Sequence, residues 1–339
     1  MIKETIKKIR KKENLSREEM QAVFEEIMRG KLPAGAIADF LVSLKSKKET
    51  VEEITGAALI MRKFATKINP KNKELLDTCG TGGDSSGTFN ISTTSAFVAC
   101  GAGCVVAKHG NKAVSSSSGS ADVLEALGVN LDVDNTTVEE CIDKIGIGFL
   151  FAPKLHLAMK YAMPARKMIK TRSIFNILGP LTNPAGAKFQ LLGVYEEGLV
   201  DIVARVLKNL GSKRAMVVCG KDGLDEITTT DETVAAELKD GEIVKYIIKP
   251  EKFKLRRARK NDLKGGDARD NAKITLDVLN GAKGPKRDIV TLNAGAAIYV
   301  AGLAGTLEDG IGKAEKSIDS GASLEKLNKL KELTNNKKA

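Results

Sequence analysis

The hydrophobic periodicity of this 339-residue chain changes once, near Lys71, and that change limits the folds open to it. Before it, apolar residues recur at helical spacing only. Ile2, Ile6 and Ile9 share one helical face, and Ser16-Arg17-Glu18-Glu19 has the form of a capping box. It opens a segment carrying Met20, Val23, Phe24 and Ile27 that closes at Gly30. A second box, Thr50-Val51-Glu52-Glu53, opens a helix with Ile54, Ala58, Met61 and Ala65 on one side. After Lys71, short β-branched runs alternate with helical periods, the pattern of a sheet covered by helices. Strands are expected at Leu75–Cys79, Cys104–Lys108, Val129–Val133, Gly148–Phe151, Phe189–Tyr195 and Ala215–Cys219, with helices such as Ile91–Gly101, Asp122–Leu127 and Leu199–Leu210 between them. Asp240-Gly241, flanked by Val234–Leu238 and Ile243–Ile248, predicts an antiparallel hairpin. From Ala268 the pattern is mostly helical, ending in a frayed Asn335–Ala339. The expected fold is α/β: a small N-terminal all-helical domain, residues 1–68, joined by part of 165–185, plus a larger α/β domain, residues 69–339, with a mostly parallel central sheet flanked by helices.

Composition narrows the function. The longest apolar stretch, around Ala294 to Ala304, is broken by Gly295 and Gly302 and is too short for a membrane span, and the N-terminus shows no apolar signal core. A cytoplasmic protein is expected, without a membrane partner. The five cysteines are scattered with no C-x-x-C pair, and His109 and His156 are the two histidines, so zinc and redox chemistry drop away. A net charge of +11 is compatible with nucleic acid, a membrane surface, an anionic small molecule or a lysine-rich background. Aromatics at 4%, with no Trp, weigh against base stacking on single strands.

Four segments can carry chemistry. Gly80-Thr81-Gly82-Gly83-Asp84 lies between a strand and a helix that starts near Asn90-Ile91-Ser92-Thr93, where successive N–H groups can form an anion nest and Asn90 can serve as the N-cap. It matches neither the dinucleotide fingerprint, since position 85 is Ser, nor a Walker loop, since Thr88 follows Gly87. Lys108-His109-Gly110-Asn111-Lys112 leaves the carboxyl end of a strand, where open α/β sheets place ligands. It runs into Val114-Ser115-Ser116-Ser117-Ser118-Gly119-Ser120, rich in hydroxyls and free N–H groups. Two such anion sites in one sheet point to a phosphorylated ligand with two anionic ends. The third segment, Asp222-Gly223-Leu224-Asp225-Glu226, can present paired carboxylates to a hydrated Mg²⁺, although an acidic turn alone is more often just solvated. The fourth contains Arg166, suited to planar carboxylate recognition, and the turn-rich crossing Arg172–Pro184. Arg256-Arg257-Ala258-Arg259-Lys260 reads as a solvated face, and His156 reads as a structural histidine.

These motifs, with Ile27-Met28-Arg29-Gly30, Lys48-Glu49-Thr50, Gly265-Gly266-Asp267-Ala268 and Leu292-Asn293-Ala294-Gly295-Ala296, resemble the anthranilate phosphoribosyltransferase family over essentially the whole chain. The resemblance implies a homodimer whose protomers hold the site in a cleft between two unequal domains. The implied reaction joins the amine of anthranilate to C1 of phosphoribosyl pyrophosphate, releasing pyrophosphate, on the way to tryptophan. By the family's pattern, phosphoribosyl pyrophosphate is held by Gly80, Gly83, Asp84, Thr88, Asn90, Ile91, Ser92, Thr93, Lys108, His109, Gly110, Asn111, Lys112, Ala113, Val114, Ser115, Ser116 and Ser120. Anthranilate falls to Gly80, Asn111 and Arg166, and Mg²⁺, as two ions, to Ser92, Asp225 and Glu226. No residue is assigned as acid or base; His109 and Asn111 are candidate orienting residues. Lys112, Ser117 and Lys170 depart from the residues common in the family.

Two other functions fit parts of the pattern. A pyrimidine nucleoside phosphorylase also cleaves at ribose C1, but Lys108–Asn111 and the Asp225-Glu226 pair suit a pyrophosphate leaving group better. A nucleic-acid binder would use the net charge and Arg256–Lys260, and would leave the metal and anthranilate positions unexplained, so no nucleic-acid partner is expected.

Overall fold

The structure, a computed structural model, describes residues 2–83, 86–113, 118–169 and 171–336. Asp84, Val114, Ser115, Ser116, Ser117 and Lys170 lie outside the described residues.

The chain opens with four helices, α1 (Ile2–Arg10), α2 (Arg17–Met28), α3 (Ala34–Lys47) and α4 (Val51–Phe64). Both capping boxes form. Ser16 Oγ accepts from the Glu19 N–H at 3.1 Å while Glu19 accepts from the Ser16 N–H at 2.7 Å, and Thr50 and Glu53 repeat the exchange at 3.3 and 2.8 Å. Glu53 does more than cap. Fully buried, it also accepts from the Leu15 N–H and from Lys47 Nζ, each at 2.9 Å, and so ties α4 to the segment before α2 and to the end of α3. Phe24 packs against Phe40 and, at 5.6 Å between ring centroids, against Phe175 from far along the chain. Ala162, Ala165, Ile174, Ile177 and Leu178 join the same apolar cluster. Arg62 of α4 donates to the carbonyls of Leu181 at 2.7 Å and Leu210 at 3.3 Å, fastening the helices to the sheet-forming part.

That part holds β1 (Leu75–Gly80), α5 (Ile91–Gly101), β2 (Val105–Gly110), α6 (Ser120–Ala126), α7 (Asn135–Ile145) and β3 (Ile147–Phe151). The crossing follows, with the short helices α8 (Ala152–Leu155), α9 (Met163–Ile169) and α10 (Ile174–Leu178), then β4 (Phe189–Gly193), α11 (Leu199–Asn209), β5 (Arg214–Gly220), β6 (Thr233–Lys239) and β7 (Glu242–Ile248). Four helices finish the chain: α12 (Ala268–Leu279), α13 (Pro285–Val300), α14 (Leu307–Asp319) and α15 (Ala322–Asn336). The sheet order is β3-β2-β1-β4-β5-β6-β7, parallel from β3 to β5 and antiparallel through the β6–β7 hairpin. Asp240 and Gly241 make its turn with φ of 51° and 79°, the left-handed pair that a two-residue hairpin demands. Along β5, Met216 and Val218 enter one apolar cluster, and Ala215, Val217 and Cys219 the other. Burial of both faces explains why the strands read as nearly unbroken apolar runs.

Val129–Val133 is not a strand. Its alternating Val129, Leu131 and Val133 are buried, but the Asn130 N–H donates to Thr334 Oγ1 at 3.2 Å and the Asp132 N–H to Asn130 Oδ1 at 2.9 Å. Side chains satisfy these backbone donors, so the segment joins no ladder.

The connections leave β1 toward β2 and β3 on one side and toward β4 and β5 on the other. The carboxyl ends of β1 and β4, where Gly80 pairs with Gly193, therefore form a switch point, the place where open α/β sheets bind ligands.

Candidate active site

The glycine loop springs from that switch point. Beyond β1, the Thr81 N–H donates to the Gly193 carbonyl at 2.9 Å, and the Tyr195 N–H donates to Thr81 Oγ1 at 3.1 Å. Gly82 and Gly83 take φ of 65° and 73°. Over the strand ends lies the loop between β5 and β6, and glycine at two positions makes room for it. A Cβ at Gly80 would run into the Asp225 carboxylate, and one at Gly193 into the Asp225 backbone carbonyl. Delivered this way, Asp225 Oδ2 accepts the Gly82 N–H at 2.7 Å, and Glu226 Oε1 accepts the Ser92 N–H at 3.1 Å, on the first turn of α5. Both carboxylates thus sit on the donors that the sequence marks out for an anion.

Lys108 reaches the same place from β2. Its ammonium is buried and donates to the Thr78 carbonyl at 2.5 Å and to Ser92 Oγ at 3.3 Å. Burial pushes the ammonium down from its ordinary range, opposed by the nearby Asp77 carboxylate, which burial in turn pushes up. Asp77 accepts from the His109 N–H at 3.1 Å and from Asn183 Nδ2 at 2.8 Å.

Asn90 occupies the N-cap position of α5, but its side chain makes no capping bond. Its amide instead donates to the Ser118 carbonyl at 3.3 Å and accepts from Asn271 Nδ2 at 3.0 Å. Asn271, 1% exposed, also accepts the Gly266 N–H at 2.9 Å, so α12 and the Gly265-Gly266 turn hold Asn90 in place. Thr88 forms an isolated bridge with Lys264. Asp122 Oδ2 accepts the N–H groups of Ala113 and Gly119, both at 2.8 Å. Ser120 Oγ donates to the Asn111 carbonyl at 3.3 Å.

Other expected residues point elsewhere. Lys112 pairs with Glu125 at 2.9 Å, in a bridge whose side chains are about half exposed on both sides, rather than facing the glycine loop. Asn111 Oδ1 accepts the Lys112 N–H at 2.8 Å. The Arg166 guanidinium lies 5.5 Å from the centroid of the Phe175 ring, and its nearest polar contact is Met163 Sδ at 3.9 Å. Among the described residues no carboxylate pairs with it, and no hydrogen bond joins it to Gly80 or Asn111.

His109, opposite in strand direction to Lys108, turns away from the glycine loop. Its Nε2 lies 3.2 Å from His156 Nε2, and its ring also bonds to the Gly179 carbonyl. Burial, with the second imidazole, drives His109 down to about 3, and burial with nearby Lys67 takes His156 to about 4, so the pair is neutral across the physiological range. His156, read from the sequence as structural, is indeed buried, and what the sequence could not name is its partner, 47 residues away. Arg172 is a further contact that the sequence left without a role: its guanidinium stacks 4.1 Å from the Tyr195 ring centroid and donates to the Gly83 carbonyl. Two of the four basic residues of the run are ion-paired, Arg257 with Glu251 and Asp231 and Arg259 with Asp262, and Lys260 donates to the Asp222 carbonyl at 3.3 Å.

Backbone N–H groups of a glycine loop and a helix start, a buried ammonium and an acidic pair thus meet at the switch point, the arrangement of an α/β enzyme of the transferase kind. Residues 3–65 match the glycosyl transferase family helical bundle domain, and residues 72–324 match the glycosyl transferase family a/b domain. An anthranilate phosphoribosyltransferase of Acetivibrio thermocellus is 52% identical over 335 residues, covering 99% of this chain and 97% of that protein. The crystal structure of the anthranilate phosphoribosyltransferase from Thermus thermophilus superposes with a TM-score of 0.92 at 40% identity, over 97% of this chain and 99% of that one. The Saccharomyces cerevisiae enzyme in complex with PRPP and Mg gives 0.87 at 27% identity, over 95% and 94%. The chain belongs to the anthranilate phosphoribosyltransferases of this glycosyl transferase family.

Proposed function

We propose that the chain transfers the 5-phosphoribosyl group of phosphoribosyl pyrophosphate to the amine of anthranilate, giving N-(5-phosphoribosyl)anthranilate and pyrophosphate, in tryptophan biosynthesis. The observation that carries this reading is the placement of Asp225 and Glu226 on the Gly82 and Ser92 N–H groups, beside buried Lys108.

Asp225, Glu226 and Ser92 Oγ form an all-oxygen donor set that fits Mg²⁺, an ion that keeps several waters and takes one or two carboxylates plus substrate phosphates. Two ions are expected there. When bound, Mg²⁺ neutralises charge building on the departing pyrophosphate. Around it the Gly80–Gly83 loop, the first turn of α5 from Asn90 to Thr93 and Lys108 hold the phosphates, with Thr88, Ser120 and the remaining family-pattern positions from His109 to Ala113 as further contacts. The Gly82 and Ser92 N–H groups, now taken by carboxylates, suit a phosphate oxygen equally well.

Anthranilate's amine is already a nucleophile, so the acceptor side needs positioning more than a strong base. Arg166, without an anionic partner among the described residues, suits its carboxylate, and Gly80 and Asn111 are the other positions proposed for anthranilate. His109 acts as a neutral, oriented group whose ring direction is set by His156 and Gly179.

The homodimer is proposed through α3 and α9, which pack together and leave Val42, Met163 and Met168 exposed by 50, 40 and 59%. The units are taken as 1–68 with part of 165–185, and 69–339, with the two substrates meeting in a cleft between them. No helix among the described residues is long and apolar enough to cross a membrane, and five buried free thiols support a reducing compartment such as the cytoplasm.

The test is loss of anthranilate fluorescence on adding phosphoribosyl pyrophosphate and Mg²⁺. Loss that requires all three components supports the assignment. An unchanged signal from folded protein, or phosphate-dependent cleavage of thymidine without Mg²⁺, overturns it.

A further inference from the structure

We infer that Asn293 is a positioning residue that sets the aim of Asp225 and Glu226, an inference that rests on the proposed role of that acidic pair. Asn293 sits on α13 among Leu292, Ala294, Ala296 and Ala297, and like them it is 0% exposed. A carboxamide in such surroundings is costly unless its polar atoms are matched. Here they are. Its Oδ1 accepts the Ile227 N–H at 2.9 Å, and its Nδ2 donates to the Ile227 carbonyl at 2.8 Å and to the Ile289 carbonyl at 2.9 Å. One side chain therefore grips both backbone polar groups of the residue directly after Glu226, as a neighbouring strand would. The Ile227 side chain, also 0% exposed, is sunk in the main apolar cluster.

The same loop is braced around Asp222. Asp222 Oδ2 accepts from Thr228 Oγ1 at 2.9 Å and also from Thr230 Oγ1, while Asp222 Oδ1 accepts the Leu224 N–H at 3.2 Å. Asp222, although part of the same acidic motif, is thus spent on the loop itself. Between these anchors Asp225 and Glu226 remain as the pair that extends to Gly82 and Ser92. Asn293 never touches those carboxylates; it fixes the peptide from which they project. Partners of this kind, one step removed from a metal ligand, commonly change metal affinity or activity by about 10–100-fold when removed.

The test compares the full-length parent, Asn293→Leu, Asn293→Asp and Asp225→Asn. Mn²⁺ binding in the presence of phosphoribosyl pyrophosphate is read by electron paramagnetic resonance, and the Mg²⁺ midpoint of turnover is read separately. Asn293→Leu keeps the branched shape and loses all three bonds, and about a 10-fold or greater weakening of Mn²⁺ binding and rise in the Mg²⁺ midpoint are expected, with the anthranilate KM within about twofold. Asn293→Asp keeps the acceptor for the Ile227 N–H and falls between parent and Asn293→Leu. Circular dichroism and melting restrict the comparison to folded protein, and Asn293→Asp decides if Asn293→Leu does not fold. A folded Asn293 variant that melts earlier but binds Mn²⁺ as the parent does overturns the inference. If Asp225→Asn also leaves Mn²⁺ binding unchanged, the assignment of the acidic pair falls with it; if Asp225→Asn weakens binding, only the role of Asn293 falls.

Discussion

The two halves of the proposed site are built differently. The proposed phosphoribosyl half stands on strand ends: Lys108 is buried in β2, the acidic pair is pressed onto Gly80 and Gly193 at the ends of β1 and β4, and Asn90 is held by buried Asn271. The proposed acceptor half stands on the crossing. Arg166 rides on α9, seven residues long, and its contacts are an aromatic face and a thioether. On this assignment charged phosphates would meet a scaffold of buried, mutually bonded groups, as electrostatic stabilisation of a leaving group requires, whereas the acceptor would meet a short helix anchored by Ala165 in the apolar cluster of the N-terminal helices.

The comparison predicts unequal consequences of mutation. Glu226→Gln, on the proposed phosphoribosyl side, is expected to lower kcat by roughly 10²–10³-fold, the scale for removing one preorganised electrostatic group, with little change in the anthranilate KM. A drop confined to the anthranilate KM would erase the distinction. Arg166→Ala is expected to raise the anthranilate KM by roughly 10–100-fold, since a charge-assisted hydrogen bond contributes ~1.5–3 kcal/mol, and to leave the KM for phosphoribosyl pyrophosphate nearly unchanged. Equal changes in both would show that the halves are not separable. His109→Ala is expected to reduce turnover by about 10-fold rather than abolish it, because an oriented neutral imidazole contributes less than a general acid or base at roughly 10²–10⁴-fold. A complete loss with binding intact would make it an essential proton-transfer group.

The smallest effect is in pH. His109 and His156 have folded values of about 3 and about 4, below the ordinary 6.5. Between those limits the unfolded chain binds more protons than the folded one, so stability rises with pH. Their contribution is fully present above 6.5 and is lost as pH falls from there toward the folded values. Chemical denaturation from about pH 7.5 to about 4.5 is expected to show this slope, and His156→Gln to flatten it. In turnover the same pair is expected to give no limb near 6.5; a limb there that disappears in His109→Ala would contradict burial of a neutral pair.

Much of this arrangement was legible in the sequence where the causes are local. Ser16–Glu19 and Thr50–Glu53 announce helix starts because a hydroxyl and a carboxylate three residues apart satisfy each other's backbone. Gly82-Gly83 and Asp240-Gly241 announce turns because their backbone needs left-handed φ. Val129–Val133 misled because alternation reports which side is buried and says nothing about who accepts the N–H groups; here Thr334, 204 residues from Asn130, takes one of them. For the same reason the sequence could name the acidic pair but not its aim, which depends on missing side chains at Gly80 and Gly193 and on Asn293. Asn90 fits the composition of an N-cap, yet its amide is bound by Asn271 across the fold. Lys112 is proposed as a phosphate contact by family resemblance alone, and in the structure its ammonium pairs with Glu125 of α6 at 2.9 Å.

On the proposed assignment Asp225 and Glu226, aimed onto the glycine loop, make phosphoribosyl pyrophosphate binding dependent on Mg²⁺ and leave anthranilate to the crossing. Calorimetric titration of phosphoribosyl pyrophosphate into the parent and into Asp225→Asn/Glu226→Gln, with and without Mg²⁺, separates the two. Mg²⁺ is expected to tighten binding to the parent by at least about 10-fold and to have little effect on the double variant. Equal tightening in both folded proteins would contradict it.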